Sequence, residues 1–262
     1  MWAILGGSGF ENFDGFEFVS ALPRETPFGL ASSGLSRVKL DGRDCLFISR
    51  HGEKHELLPS EVNYRANIWV LKKYGAKAII SLSAVGSLRI EYEPGDMVIP
   101  WQYLDRTKGI RVSTFCGDGL VGHVSLANPI CLPLAFAAKE LSASIGLKSH
   151  VGQTYVCIEG PYFSTKADSR CFRLQGADII GMTHFPEFAL AKEAGISYLP
   201  CCFVTDYDCW DDEIPHVTLE EVIVTMRENN GKAFRMTQEI LSQGDLILKE
   251  CTCSQEGLNG SL

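Results

Sequence analysis

Apolar residues along the chain fall into short dense blocks, set apart by longer stretches in which apolar positions recur every three or four residues. The dense blocks predict strands at residues 2–5, 37–40, 45–48, 78–82, 96–99, 154–158, 179–181 and 198–204. The helix-periodic stretches predict helices at 62–74, 133–145, 166–175, 187–194 and 219–242. Thr218 with Glu221 carries the signature of a capping box, and Thr165 with Asp168 a weaker form of it, so two of those helix starts have support of their own. Strands and helices interleave, and no linker or low-complexity segment divides them. The expectation is one α/β domain over residues 1–249, built on a largely buried sheet. Residues 250–262, with Ser, Gln, Asn and Gly, are expected to form a mobile tail.

Composition narrows the setting. The 262 residues suffice for a sizeable core in one large domain or two small ones. With 24 Lys and Arg against 32 Asp and Glu, the formal net charge is −8, and no basic block is present. Nucleic acid and anionic membrane surfaces are therefore disfavoured as partners, and an anionic ligand must be met by local donors. No apolar run approaches the roughly 18 residues of a membrane span. Residues 1–6 lack the basic start of a secretory signal, so a cytoplasmic protein is expected. The 10 cysteines include no CxxC pair and no His at zinc-finger distance, so no metal site is expected and most read as small buried apolar residues. Cys251 and Cys253 form a CxC pair, a spacing that can close a strained, redox-sensitive ring or pair elsewhere.

Candidate chemistry gathers where the predicted strands end. The strand at 198–204 runs into Thr205-Asp206-Tyr207-Asp208-Cys209-Trp210, placing two carboxylates at the mouth of an apolar element, where α/β proteins bind ligands. A carboxyl group in a partly dry pocket keeps its proton and can donate it to a basic ring nitrogen, so the pair could read a purine; the alternative is two solvated acids at a strand exit. Gly6-Gly7-Ser8-Gly9 follows the first strand. Its glycines let the backbone approach an anion and Ser8 adds a hydroxyl, although a plain tight turn would look the same and the spacing is not that of a dinucleotide or Walker loop. Arg50 offers a planar fork suited to phosphate oxygens, and His51 can add a donor. Ser83 and Ala84 open a third loop of small residues with hydroxyl and backbone donors. Further on, Phe163 and Ser164 follow a Gly-Pro turn, where the Phe163 ring can face a planar base. Met182 and Thr183 precede a helix whose N-terminus favours an anion.

In order and spacing, to about Gln243, the motifs GGSG at 6–9, RHG at 50–52, VNYRANIW at 62–69, SAVGS at 83–87, PGD at 94–96, EGPYFS at 159–164, GMT with PE at 181–187 and TDYDCW at 205–210 resemble the trimeric purine nucleoside phosphorylase family, and within it the branch acting on 5′-methylthioadenosine. The resemblance implies the nucleoside phosphorylase fold, a central mixed β-sheet flanked by helices. It implies reversible phosphorolysis to adenine and 5-methylthioribose 1-phosphate by a homotrimer or dimer of trimers, with inorganic phosphate as co-substrate and neither cofactor nor metal. Carried over position by position, Ser8, Arg50, His51, Ser83, Ala84 and Thr183 match phosphate positions, and Met182 the place where the ribose is held. Phe163, Ser164, Asp206 and Asp208 match the base site, with Asp206 as the donor to the departing purine. Leu219 and Ile223, on one helix face, match the lining of the methylthio pocket, to which a neighbouring subunit would add His123.

Relatives acting on inosine and guanosine carry Glu where Ser164 stands and Asn where Asp206 stands, so both positions imply an amino-purine. A methylthioinosine or general purine nucleoside phosphorylase is the alternative enzyme, and a catalytically silent purine-binding regulator the alternative of another class. The chain departs from the family pattern at Tyr162, where Arg is usual, at Ser83 in place of Thr, at His184 in place of a smaller residue, and at Gly181 in place of an Asn seen in some.

Overall fold

Strands that are apolar along their whole length belong in the middle of a sheet covered on both faces. β1 (Trp2–Gly6) is such a strand, and β6 (Arg43–Ser49) and β7 (Ala78–Ser87), buried over most of their length, lie on either side of it and parallel to it. The structure is a computed structural model and describes residues 1–11, 15–214 and 219–258, with Leu219 described by its backbone alone. To these strands it adds β2 (Glu17–Leu22), β5 (Leu35–Leu40), β8 (Met97–Arg106), β9 (Ser149–Ile158), β10 (Ile179–Gly181) and β11 (Ser197–Tyr207). Among the described residues the nine form one mixed sheet in the order β10, β9, β8, β11, β7, β1, β6, β5, β2, while β3 (Glu25–Thr26) and β4 (Gly29–Leu30) pair apart. The far end of β7 also pairs antiparallel with β10, Ser87 to Ile179 and Gly86 to Ile180, so that β7, β11, β8, β9 and β10 close into a ring.

The helices are α1 (Tyr64–Lys73), α2 (Leu132–Ser144), α3 (Lys166–Leu174), α4 (His184–Glu193), α5 (Leu219–Ile247) and α6 (Cys253–Glu256). Asn63 caps α1 through its side chain, and α3 has the capping box expected of Thr165 and Asp168. Thr218 lies outside the described residues. This is the expected mixed sheet flanked by helices, with three local differences. The SAVGS segment is not a loop but the end of β7, where small residues fit between β11 and β10. β8 continues past Pro100, which sits at a register shift, the place where a strand tolerates a missing N–H. β2, β3 and β4 have no forerunner in the apolar pattern, because their residues are largely exposed.

The segment expected to be mobile is docked as far as it is described. Cys253 is buried, Leu258 N donates to Glu193 O at 2.8 Å, and Lys192 pairs with Glu256. All ten cysteines are free, and Cys251 Sγ lies 3.0 Å from Cys131 Sγ. No helix among the described residues is long and apolar enough to cross a membrane.

Candidate active site

The turn after β1 is pinned from three sides. Gly7 N donates to Leu82 O at 3.0 Å, Arg50 N to Gly6 O at 2.8 Å, and Phe10 N to Gly7 O at 2.9 Å. Only glycine fits at 7, since a Cβ there would stand 2.3 Å from Arg50 Nη1 and 2.7 Å from Leu82 O. Ser8 is half-buried in this turn. Arg50 departs from the open fork expected of it. The side chain is wholly buried: Nε and Nη2 hold Glu187 at 2.6 and 2.9 Å, Nη2 also reaches Ser81 Oγ at 2.8 Å, and Nη1 donates to Leu82 O at 3.1 Å. Among the described residues four of the five guanidinium donors are thereby engaged, leaving one N–H on the Nη1 side, against Gly7. Glu187 causes this, because a buried guanidinium needs a carboxylate partner. The sequence reading missed it, since the pair is separated by 137 residues.

His51 differs from expectation in a similar way. Burial, then the Arg50 charge, push its pKa down to about 4, so the ring is neutral. Its Nδ1 lies 2.9 Å from Leu57 O, which can only accept, so Nδ1 is the donor and Nε2 carries a lone pair. His51 thus offers an acceptor to its surroundings. On β7, Ser83 is buried with Oγ 2.8 Å from His184 Nε2, and Ala84 follows it half-buried. Thr183 N-caps α4 and is buried, yet makes no side-chain capping bond, so its hydroxyl is not committed to the helix. Ser8, Arg50, Ser83 and Thr183 are thus tied into one neighbourhood through Leu82 and the first turn of α4.

The two acids lie further along the same strand pair. β7 and β11 are parallel, with Ser83 opposite Cys202 and Gly86 opposite Asp206. Three residues of strand separate the two positions by about 10 Å, a nucleoside's span. The register shifts between Val204 and Asp206, a bulge of the kind that re-aims side chains. A Cβ on Gly86 would stand 3.2 Å from Asp206 Oδ1 and 3.6 Å from Asp208 Cβ, so glycine leaves room for both acids. Burial, then the charge of Asp208, raise the Asp206 pKa to about 6. Burial also raises that of Asp208, against the nearby hydroxyls of Ser169 and Ser164. Asp208 Oδ2, Ser164 Oγ and Ser169 Oγ are nevertheless buried without a hydrogen bond of good geometry among the described residues, so these three polar atoms are candidates to pair with a bound molecule. Ser169 was not foreseen; it sits on α3, one turn past the Thr165 cap.

Loop positions are held from behind. Arg111, also unforeseen, donates to Glu159 Oε1 at 2.7 Å, Glu159 O at 2.8 Å, Met182 O at 2.7 Å and Phe185 O at 2.8 Å, joining the EGPYFS and GMT segments. Arg170 Nε donates to Trp210 O at 3.2 Å and the Arg173 guanidinium stacks on the Trp210 ring at 3.6 Å, so α3 fixes the chain beyond Asp208. Beside Gly9 opens a groove of about 330 Å³ lined by Ile223, Met226, Arg227 and Asn230. Met226 adds to the expected Ile223 at helical spacing, whereas the Leu219 side chain lies outside the described residues. Phe163 is 85% exposed and His123 is exposed, and neither lines that groove. Among the described residues, no three His, Cys, Asp or Glu side chains gather as a metal site.

A family model described as Phosphorylase superfamily matches residues 2–242. The chain belongs to the phosphorylase superfamily. The superfamily match takes in the whole sheet and α1 to α4, and leaves α6 outside. Among relatives, the S-methyl-5′-thioadenosine phosphorylase of Geobacter sulfurreducens is 42% identical over 96% of this chain and 87% of its own length. That of Saccharolobus solfataricus is 44% identical over 96% and 92%. A methylthioadenosine phosphorylase from an Antarctic soil metagenomic library superposes with a TM-score of 0.89 at 41% identity, covering 97% of this chain and 90% of that one. The methylthioadenosine phosphorylase of Schistosoma mansoni in complex with adenine also gives 0.89, at 32% identity over 95% and 94%.

Proposed function

We propose that the protein is a 5′-methylthioadenosine phosphorylase, which uses inorganic phosphate to release adenine and 5-methylthioribose 1-phosphate for purine and methionine salvage. Two half-buried carboxyl groups beside Gly86, three residues along the β7–β11 pair from the Ser83 hydroxyl, carry this assignment. Cleaving the glycosidic bond leaves positive charge on the sugar and negative charge on the purine, so an anion must lie below the sugar and a proton donor at the base. Asp206, its pKa raised to about 6, donates to the purine N7 when protonated, and Asp208 with Ser164 lies at the base edge. Phosphate is the nucleophile. It is met by Ser8 and the glycine-turn amides, by the hydroxyls of Ser83 and Thr183, by the remaining Nη1 donor of Arg50, and by the positive end of α4. The His51 lone pair suits a protonated phosphate oxygen.

Met182 serves the ribose and Phe163 the face of the base. Ile223 and Met226 line the groove that takes the methylthio group. The working unit is a homotrimer or a dimer of trimers in which His123 reaches the 5′ end of a neighbour's ligand. Exposed Val121, Tyr162 and Phe163, each more than 80% accessible, support such a covered surface. Specificity for an amino-purine is tested by replacing both positions that read the base. Asp206→Asn with Ser164→Glu should raise the ratio of inosine to methylthioadenosine efficiency by about tenfold or more, and an unchanged ratio would refute the base assignment.

A further inference from the structure

His184 stands where Ser83 needs a neighbour, and its surroundings define its state. The ring is wholly buried, stacked on Tyr155 at 4.4 Å and 5°, with the Tyr198 ring edge-on at 6.0 Å. Burial, against the charge of Glu187 and with that of Arg50, pushes its pKa down to about 3, so it is neutral. A neutral imidazole has one N–H and one lone pair. Nδ1 lies 3.2 Å from Tyr103 Oη and Nε2 lies 2.8 Å from Ser83 Oγ. Cys202 Sγ, 3.7 Å from Nε2, is a weak partner that fits either tautomer.

Tyr103 decides between the tautomers. Its hydroxyl is buried, and among the described residues His184 is its hydrogen-bond partner. If Nδ1 carried the proton, the Tyr103 O–H would have no acceptor, and a buried donor without a partner is costlier than a spare lone pair. Tyr103 therefore donates to Nδ1, Nε2 carries the proton, and Nε2–H donates to Ser83 Oγ. Ser83 then has its oxygen anchored and its own O–H uncommitted.

We propose that His184 is a positioning residue for phosphate: the chain Tyr103 to His184 to Ser83 fixes the Ser83 oxygen and leaves its hydroxyl proton directed to the anion. This rests on the reading that Ser83 contacts phosphate. It also accounts for two departures from the family pattern as one unit. Serine at 83 in place of threonine accompanies an imidazole at 184 in place of a smaller side chain, and the imidazole restores the rotational restraint that a β-branched residue has on its own.

Steady-state kinetics on the purified protein test it, with phosphate and nucleoside varied separately in wild type, Ser83→Ala, His184→Phe, His184→Gln and the Ser83→Ala/His184→Phe pair. Ser83→Ala should raise the phosphate KM about tenfold, the loss of one bond to an anion. His184→Phe should raise it about fivefold without moving the nucleoside KM, and should add less than about twofold when Ser83 is already alanine. Glutamine, which keeps a donor at the reach of Nε2, should restore the phosphate KM to within about twofold. If Ser83→Ala raises the phosphate KM while His184→Phe does not, or if the two effects multiply, the positioning role is overturned and the phosphate site stands. An unchanged phosphate KM in Ser83→Ala overturns the placement of phosphate itself. A nitrogen-15 histidine spectrum of wild type, independent of any variant's folding, should show the His184 proton on Nε2; a proton on Nδ1 would overturn the chain of donors.

Discussion

Asp206 bears a cost that its proposed role requires. Burial and the neighbouring Asp208 move its pKa from 3.8 to about 6, so the folded state holds the proton more tightly than the unfolded chain does. The sign follows: below the unfolded value both states are protonated and there is no penalty, and as pH rises through the folded value the penalty becomes full. Its size is on the order of 3 kcal/mol at neutral pH. Asp206→Asn escapes that penalty, so the variant should unfold at higher urea than wild type at pH 7.5, and the difference should vanish as pH falls below the unfolded value of 3.8. It should also lose about a hundredfold or more in turnover of methylthioadenosine, a stability gain at the expense of function. In wild type, kcat/KM should fall above about pH 6 as the free enzyme loses this proton. The limb should be absent in the variant, while the titration of phosphate is common to both. A variant no more stable at pH 7.5 would mean that Asp206 is not ionised under strain.

The start of α4, bent at Phe185, organises the phosphate end: Thr183 precedes it with its hydroxyl uncommitted to the helix, His184 holds Ser83, and Glu187 holds Arg50. Glu187→Ala leaves a buried guanidinium alone, and breaking such a pair costs about 3–5 kcal/mol. Urea unfolding should show a loss of that size and kinetics a raised phosphate KM, because the freed Arg50 no longer braces Gly7 and Leu82; unchanged stability would contradict the pairing. This helix also marks the limit of what the sequence discloses. Apolar blocks located the central strands, since β1 is buried throughout and β6, β7 and β11 over most of their length, and motifs at strand ends named Ser8, Ser83, Thr183, Asp206 and Asp208 as candidates. The sequence could not pair Arg50 with Glu187 or Ser83 with His184, because those bonds cross 137 and 101 residues and no periodicity records them. Pro186 marks where the regular part of α4 begins, since Phe185 before it is non-helical (φ −100°, ψ 129°), close to the start at 187 that the sequence predicts, whereas Pro100 hid the second half of β8. Donors were legible as residue types, but Arg50 and His51 changed role once their partners were in place.

At the scale of the whole molecule, a single chain leaves Phe163 and His123 exposed and away from the groove at Gly9. A trimer would cover them. His123→Ala subunits mixed with Asp206→Asn subunits should recover part of the activity neither has alone, since each site would draw on two chains, and a fully active monomer by light scattering would contradict this. The reaction itself is tested by release of adenine from methylthioadenosine, followed with and without inorganic phosphate, beside adenosine, methylthioinosine and inosine. Cleavage should require phosphate, produce 5-methylthioribose 1-phosphate in step with adenine, and be fastest with methylthioadenosine. Equal cleavage in phosphate-free buffer, or a preference for the inosine compounds, would contradict the account.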